Sequence, residues 1–177
     1  MRRKFGLFVF PGAPNAPIDL PAANTLSSRM PDPSPDSVRI NHSAQILGYT
    51  TLRLAIGMSM LIHGVGRFPK YSAFVLETVK SFTGSPLPEF AVAAFARITP
   101  PVEFAIGLLV LLGLATRFAL TAGGLWMVAL IFGSTLIANY AAVGIQLIYS
   151  LIFFQLLQYL PQNTFSLDRL IAKQRGR

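Results

Sequence analysis

The sequence has no cysteine, only two histidines, one tryptophan and seven acidic residues among 177. Without cysteine there is no disulfide, no thiol nucleophile and no iron–sulfur cluster. The two histidines, His42 and His63, fall at opposite ends of one apolar stretch. That placement argues against a bis-histidine haem, whose axial ligands sit at one depth. One histidine with one carboxylate is a poor metal set, so no metal ligand is assigned, and no catalytic residue either. Charge is scarce throughout: 12% of residues are charged, against about a quarter in soluble domains.

What is present is apolar. Hydrophobic residues make up 53% of the chain, and its mean hydropathy is +0.54. They lie in uncharged runs rather than in alternation, and runs of about 18 residues are the pattern of membrane spans. The net charge is +8. The basic residues flank the apolar runs, so they read as anchors at a lipid surface rather than as a nucleic-acid footprint. Membrane lipids are therefore expected partners and nucleic acid is not.

The chain divides into three parts. Residues 1–40 are rich in Pro, Ala, Ser and Asn and read as an extended arm. Their apolar patch, Phe5 to Phe10, is shorter than the core of a signal peptide and stops at Pro11. A plain disordered tail is the first reading; the sharper one is a partner-docking arm anchored through Phe5, Phe8 and Phe10. Residues 41–162 form the transmembrane domain, and residues 163–177 a basic amphipathic tail on the membrane surface.

Four spans are predicted, near Ser43–Arg67, Pro101–Ala115, Phe118–Asn139 and Gly144–Leu160. Between the first two, Phe74, Val75, Val79 and Phe82 alternate with Lys70, Glu77 and Lys80 at helical spacing. That is an amphipathic helix lying in the interface. A second short helix, Glu89–Ile98, is expected to break or kink at Pro100–Pro101. The fold class is thus an all-α membrane protein: a four-transmembrane-helix bundle with an amphipathic interfacial helix between the first two spans.

Orientation follows from the basic residues beside the spans. One side carries Arg29, Arg39, Arg117, Arg169, Lys173, Arg175 and Arg177; the other carries Arg67, Lys70, Lys80 and Arg97. The excess places both termini in the cytoplasm.

Glu103 is the one charge between Val102 and Ala115. A carboxylate in so apolar a helix is costly unless something answers it. The span directions bring Glu103 to the depth of His63, Arg67, Asn139 and Gln146, with Arg67 or His63 as its natural pair. Arg53 belongs to a second layer nearer the cytoplasm, with Gln155, Gln158, Tyr159 or a helix-end carbonyl as partners. The outer layer reads either as a site that binds a quinone head or hands on a proton, or as a network that only fixes helix register.

Two stretches carry a family resemblance. LRLAIGMSMLIHGVGRFPKY and, after a loop, PPVEFAIGLLVLLGLATRFA place Arg53, His63–Gly64, Glu103, Gly107, Gly113, Thr116 and Arg117 in an order that resembles the DoxX family of small bacterial four-helix membrane proteins. The resemblance spans about residues 45–160 and leaves the proline-rich arm outside. It implies residence in the bacterial inner membrane. It also implies kinship with a subunit of a thiosulfate:quinone oxidoreductase, with quinone as the possible ligand and Glu103, His63 and Arg53 as its candidate contacts. The chain has no evident redox centre of its own. An accessory subunit of a larger membrane complex is therefore the leading expectation, and a quinone-binding oxidoreductase subunit the alternative. A small-solute transporter is a third reading, limited by the small cavity that four spans enclose.

Overall fold

The structure, a computed structural model, describes residues 35–175. The proposed anchor residues Phe5, Phe8 and Phe10 lie outside them. The described residues form six α-helices: α1 (Pro35–Arg67), α2 (Tyr71–Ser81), α3 (Glu89–Leu112), α4 (Thr116–Leu136), α5 (Tyr140–Gln158) and α6 (Leu167–Arg175). Four helical stretches are long and apolar enough to cross a membrane: one within Asn41–Ser81, then Glu89–Leu112, Thr116–Leu136 and Tyr140–Gln158. The bundle is all-helical with no strand among the described residues.

α1 and α3 form the tightest pair because glycines let their backbones touch. A Cβ on Gly64 would come within 2.5 Å of the Phe104 nitrogen, and one on Gly107 would run into the Leu61 backbone. α4 and α5 form the second pair, with the fully buried Phe153 ring set against Gly123. Ile56, Met60, Ile106, Val110, Leu120, Met127 and Leu156 fill the space between the pairs. Large apolar side chains such as Phe118, Leu125 and Ile148 point outward, as a lipid-facing surface requires.

Of the break or kink expected at Pro100–Pro101, the break does not occur; α3 runs from Glu89 to Leu112 with both prolines inside it. A proline lacks the amide that would bond four residues back, so Pro101 frees the carbonyl of Arg97. The Tyr71 hydroxyl donates to that carbonyl at 2.8 Å. α2 thus supplies a donor to the backbone of the helix that it packs against, which lipid cannot do.

Other boundaries shift for local reasons. The connection after α3 turns at Gly113 and Ala115, both with positive φ (65° and 46°), so Thr116 and Arg117 open α4 rather than form a turn. α5 begins at Tyr140 because the Asn139 side chain caps it, accepting from the Ala142 amide at 3.2 Å. α1 begins at Pro35, ahead of the expected start near Ser43. The tail does not simply lie on a surface: Asn163 and Ser166 are buried, Asn163 against Arg53 of α1 and Thr116 at the start of α4, Ser166 against Gly113 after α3.

Candidate functional site: a buried ion pair between two cavities

Glu103 lies two residues after Pro101 on α3, only 4% exposed. Arg67 closes α1 and forms a salt bridge with it. The glycine contacts of α1 on α3 bring the two groups together, since a wider helix spacing would leave the carboxylate without its partner. The guanidinium carbon of Arg67 also lies 4.9 Å from the centre of the Phe74 ring on α2, within cation–π range. Breaking a buried pair costs about 3–5 kcal/mol because the survivor stays unpaired.

α5 supplies the other polar groups at this level. Gln146 donates to the Ser134 hydroxyl on α4 at 2.9 Å, while its carbonyl oxygen is buried without a partner. Ser59 and Tyr149 share a hydrogen bond of 2.5 Å between their hydroxyls, tying α1 to α5. His63 is exposed and bonds the Ser59 carbonyl through Nδ1 at 2.7 Å, with the Tyr149 ring edge-on at 6.5 Å. It does not bond Glu103. Asn139 caps α5 and also lines a cavity.

Two cavities meet at the ion pair. The smaller, about 240 Å³, is bounded by Met60, His63, Met127, Ile145 and Tyr149. The larger, about 600 Å³, opens between α2, α3 and α4 and is lined by Phe74, Phe82, Leu87, Phe95 and Phe132. Arg67, Glu103, Leu130 and Gln146 line both. The lining of the larger cavity is mostly apolar, and its charged and amide members are Arg67, Glu103, Asn139 and Gln146. Its volume falls within the roughly 300–1,000 Å³ of small-molecule sites. Phe95 on its wall stacks on Trp126, with ring centres 4.9 Å apart and planes at 13°.

Arg53 is not part of this site. It lies fourteen residues before Arg67 on the same helix, about 21 Å away at 1.5 Å per residue. Its partners are neither Gln155, Gln158 nor Tyr159. Its guanidinium donates to Asn163 Oδ1 at 2.6 Å and to the Phe165 carbonyl at 2.7 Å, in the segment after α5. Asn163 in turn donates to the Thr116 hydroxyl at 3.0 Å. Asp168 accepts from the Ala115 and Thr116 amides at 2.7 and 2.8 Å, capping α4 from a distance in sequence. Burial alone would raise the Asp168 pKa; the hydrogen bonds from Thr116 and Ala115, with the nearby Arg53, outweigh it and hold the carboxyl below its usual value.

The DoxX family model matches residues 48–136, half of the chain. This chain belongs to the DoxX family. Among curated proteins and among solved structures, nothing matches. With four spans and this membership, it is a multi-pass integral membrane protein. The DoxX match ends where α4 ends, so it contains Arg53, His63, Arg67 and Glu103 but not Asn139, Gln146 or Tyr149. Each polar layer is therefore half DoxX region and half later chain. Sequence reasoning passed over Ser59, Tyr71, Tyr149, Asn163 and Asp168. Asp168 carried the one available signal, as the sole acid in a basic tail.

Proposed function

We infer that this DoxX protein is an accessory subunit of a bacterial inner-membrane complex related to the thiosulfate:quinone oxidoreductase, and that its own task is to hold a quinone head. Both termini face the cytoplasm in this reading, and electrons come from a redox-active partner subunit. The observation that supports it is the cavity of about 600 Å³, mostly apolar in its lining, with Arg67, Glu103 and Gln146 among its walls. A quinone has this shape in reverse: a flat apolar ring with carbonyl oxygens that accept hydrogen bonds. Arg67 and the Gln146 amide are the donors, and Glu103 fixes the guanidinium so that it does not wander.

Trp126, the only tryptophan, lies behind the cavity wall and is a built-in reporter. Purified protein titrated with decylubiquinone is expected to show saturable quenching of its fluorescence. Gln146→Leu removes one donor without touching the ion pair, and the Kd should rise about tenfold, the worth of one hydrogen bond. Quenching that never saturates, or that Gln146→Leu leaves unchanged, refutes the quinone reading. A second reading, in which the layer only holds the bundle together, has the Arg67–Glu103 pair in its favour, since each group already satisfies the other. It expects no saturable binding.

A further inference from the structure

The larger cavity is roofed by a helix that is pinned at one end only. At the start of α2, the Tyr71 hydroxyl bonds the Arg97 carbonyl and Phe74 lies under the Arg67 guanidinium. At its other end, Phe82 rests against Gly133 of α4: a Cβ on that glycine would stand 3.3 Å from the tip of the Phe82 ring. The chain then turns at Gly84, whose φ of +84° suits glycine and few other residues. No residue of α2 is fully buried, although Phe74, Thr78 and Phe82 face the cavity along one side of the helix. The roof therefore packs along α3 and is held most weakly at the seam with α4.

That seam leads to lipid. Phe132 lines the cavity and is also 58% exposed, on the outward face of a helix that crosses the membrane. It lies one turn from the end of α4, so the opening is in the leaflet on the Glu103 side. A cavity of about 600 Å³ holds a drug-sized head group and a short length of chain, but not a long polyprenyl tail.

We propose that the cavity takes a single-chain lipid with a hydrogen-bond-accepting head, admitted sideways from the membrane between α2 and α4, with its chain left lying in the seam beneath Phe82. The inference rests on the quinone reading and narrows it to chain-bearing ligands. α2 acts as a lid that swings from its pinned Tyr71 end. Phe82 on Gly133 is the latch.

The absence of cysteine makes the test clean. In the double variant Phe82→Cys/Gly133→Cys, a short bifunctional methanethiosulfonate can bridge the seam, and a reductant can release it. Trp126 quenching is followed in time with decylubiquinone and with the chainless 2,3-dimethoxy-5,6-dimethyl-1,4-benzoquinone, whose fully substituted ring has no free position for a thiol to add to. Before bridging, both bind. After bridging, binding of decylubiquinone should slow at least tenfold and recover once the bridge has been reduced and the reductant removed, while the chainless compound changes less than twofold. A second variant, Phe82→Ala, needs no cross-link and should speed decylubiquinone binding several-fold. An unchanged decylubiquinone rate in fully bridged protein overturns the lateral route. Equal slowing of both compounds overturns the requirement for a chain in the seam. Failure of both to bind the unbridged protein brings down the quinone reading itself, a result separate from the other two.

Discussion

Tyr71 donates its hydroxyl to the carbonyl of Arg97, the acceptor that Pro101 leaves without its helical amide. One phenol on a short surface helix thereby keeps a membrane-crossing helix continuous. Tyr71→Phe leaves that carbonyl unsatisfied and should cost about 0.5–1.5 kcal/mol. Hydrogen exchange by mass spectrometry is the sensitive measurement: peptides covering residues 95–105 should lose protection, while those in α5 do not change.

The Arg67–Glu103 pair predicts a non-additive result. Glu103→Gln leaves a guanidinium facing a neutral amide. Because Arg67 keeps 28% of its side chain exposed, the loss should lie near the low end of the buried-pair range, about 3 kcal/mol. Replacing both, as Arg67→Met with Glu103→Met, should recover most of that loss. A double-mutant cycle by chemical unfolding in mild detergent measures it, and strict additivity would mean that the pair contributes no coupling.

Two glycines on one helix should respond in opposite ways. Gly64→Ala drives a methyl into the Phe104 and Pro100 backbones, and α1 and α3 must separate. The variant should fold poorly, seen as aggregation on size exclusion. Gly48 has nothing within 4 Å of its missing Cβ, so Gly48→Ala should be neutral or stabilise by about 0.5–1 kcal/mol. Equal behaviour of the two would show that backbone contact does not hold this pair.

The tail has an acid limit. Asp168 is held below its unfolded pKa, which is about 3.9. A depressed carboxylate stabilises the docked tail at all pH values above the unfolded pKa and stops doing so as pH falls through the lower native value. Protease protection of residues 163–175 should therefore hold from neutral pH to about pH 4 and fall below it. In Asp168→Asn, protection should be weaker at neutral pH and lose this acid step.

The four spans were legible because uncharged apolar runs of membrane length are foreign to soluble domains, and the DoxX motifs reinforced them. The convergence of Glu103, Arg67 and Gln146 on one level followed from span direction and rise per residue alone. Which partner Glu103 takes did not: His63 and Arg67 share its depth, and the choice depends on helix rotation set by Gly64 and Gly107. The two prolines left open whether α3 breaks or runs on; the choice was not legible, because a tyrosine thirty residues before Pro101 supplies the donor for the freed carbonyl. The partners of Arg53 were hidden for a similar reason. A chain that doubles back beneath the bundle leaves no periodicity, and Asn163 reads as an ordinary loop residue until its neighbours are known.

The link from Arg53 to Asn163 spans 110 residues of chain. During synthesis at about 5–20 residues per second, α1 waits roughly 5–20 s before its acceptor leaves the ribosome. Throughout that interval a nascent helix carries a buried cation with no mate, the state that membrane quality control is suited to detect. A chain that stops short of Asn163 would never leave it. The segment that follows α5 thus certifies the placement of α1.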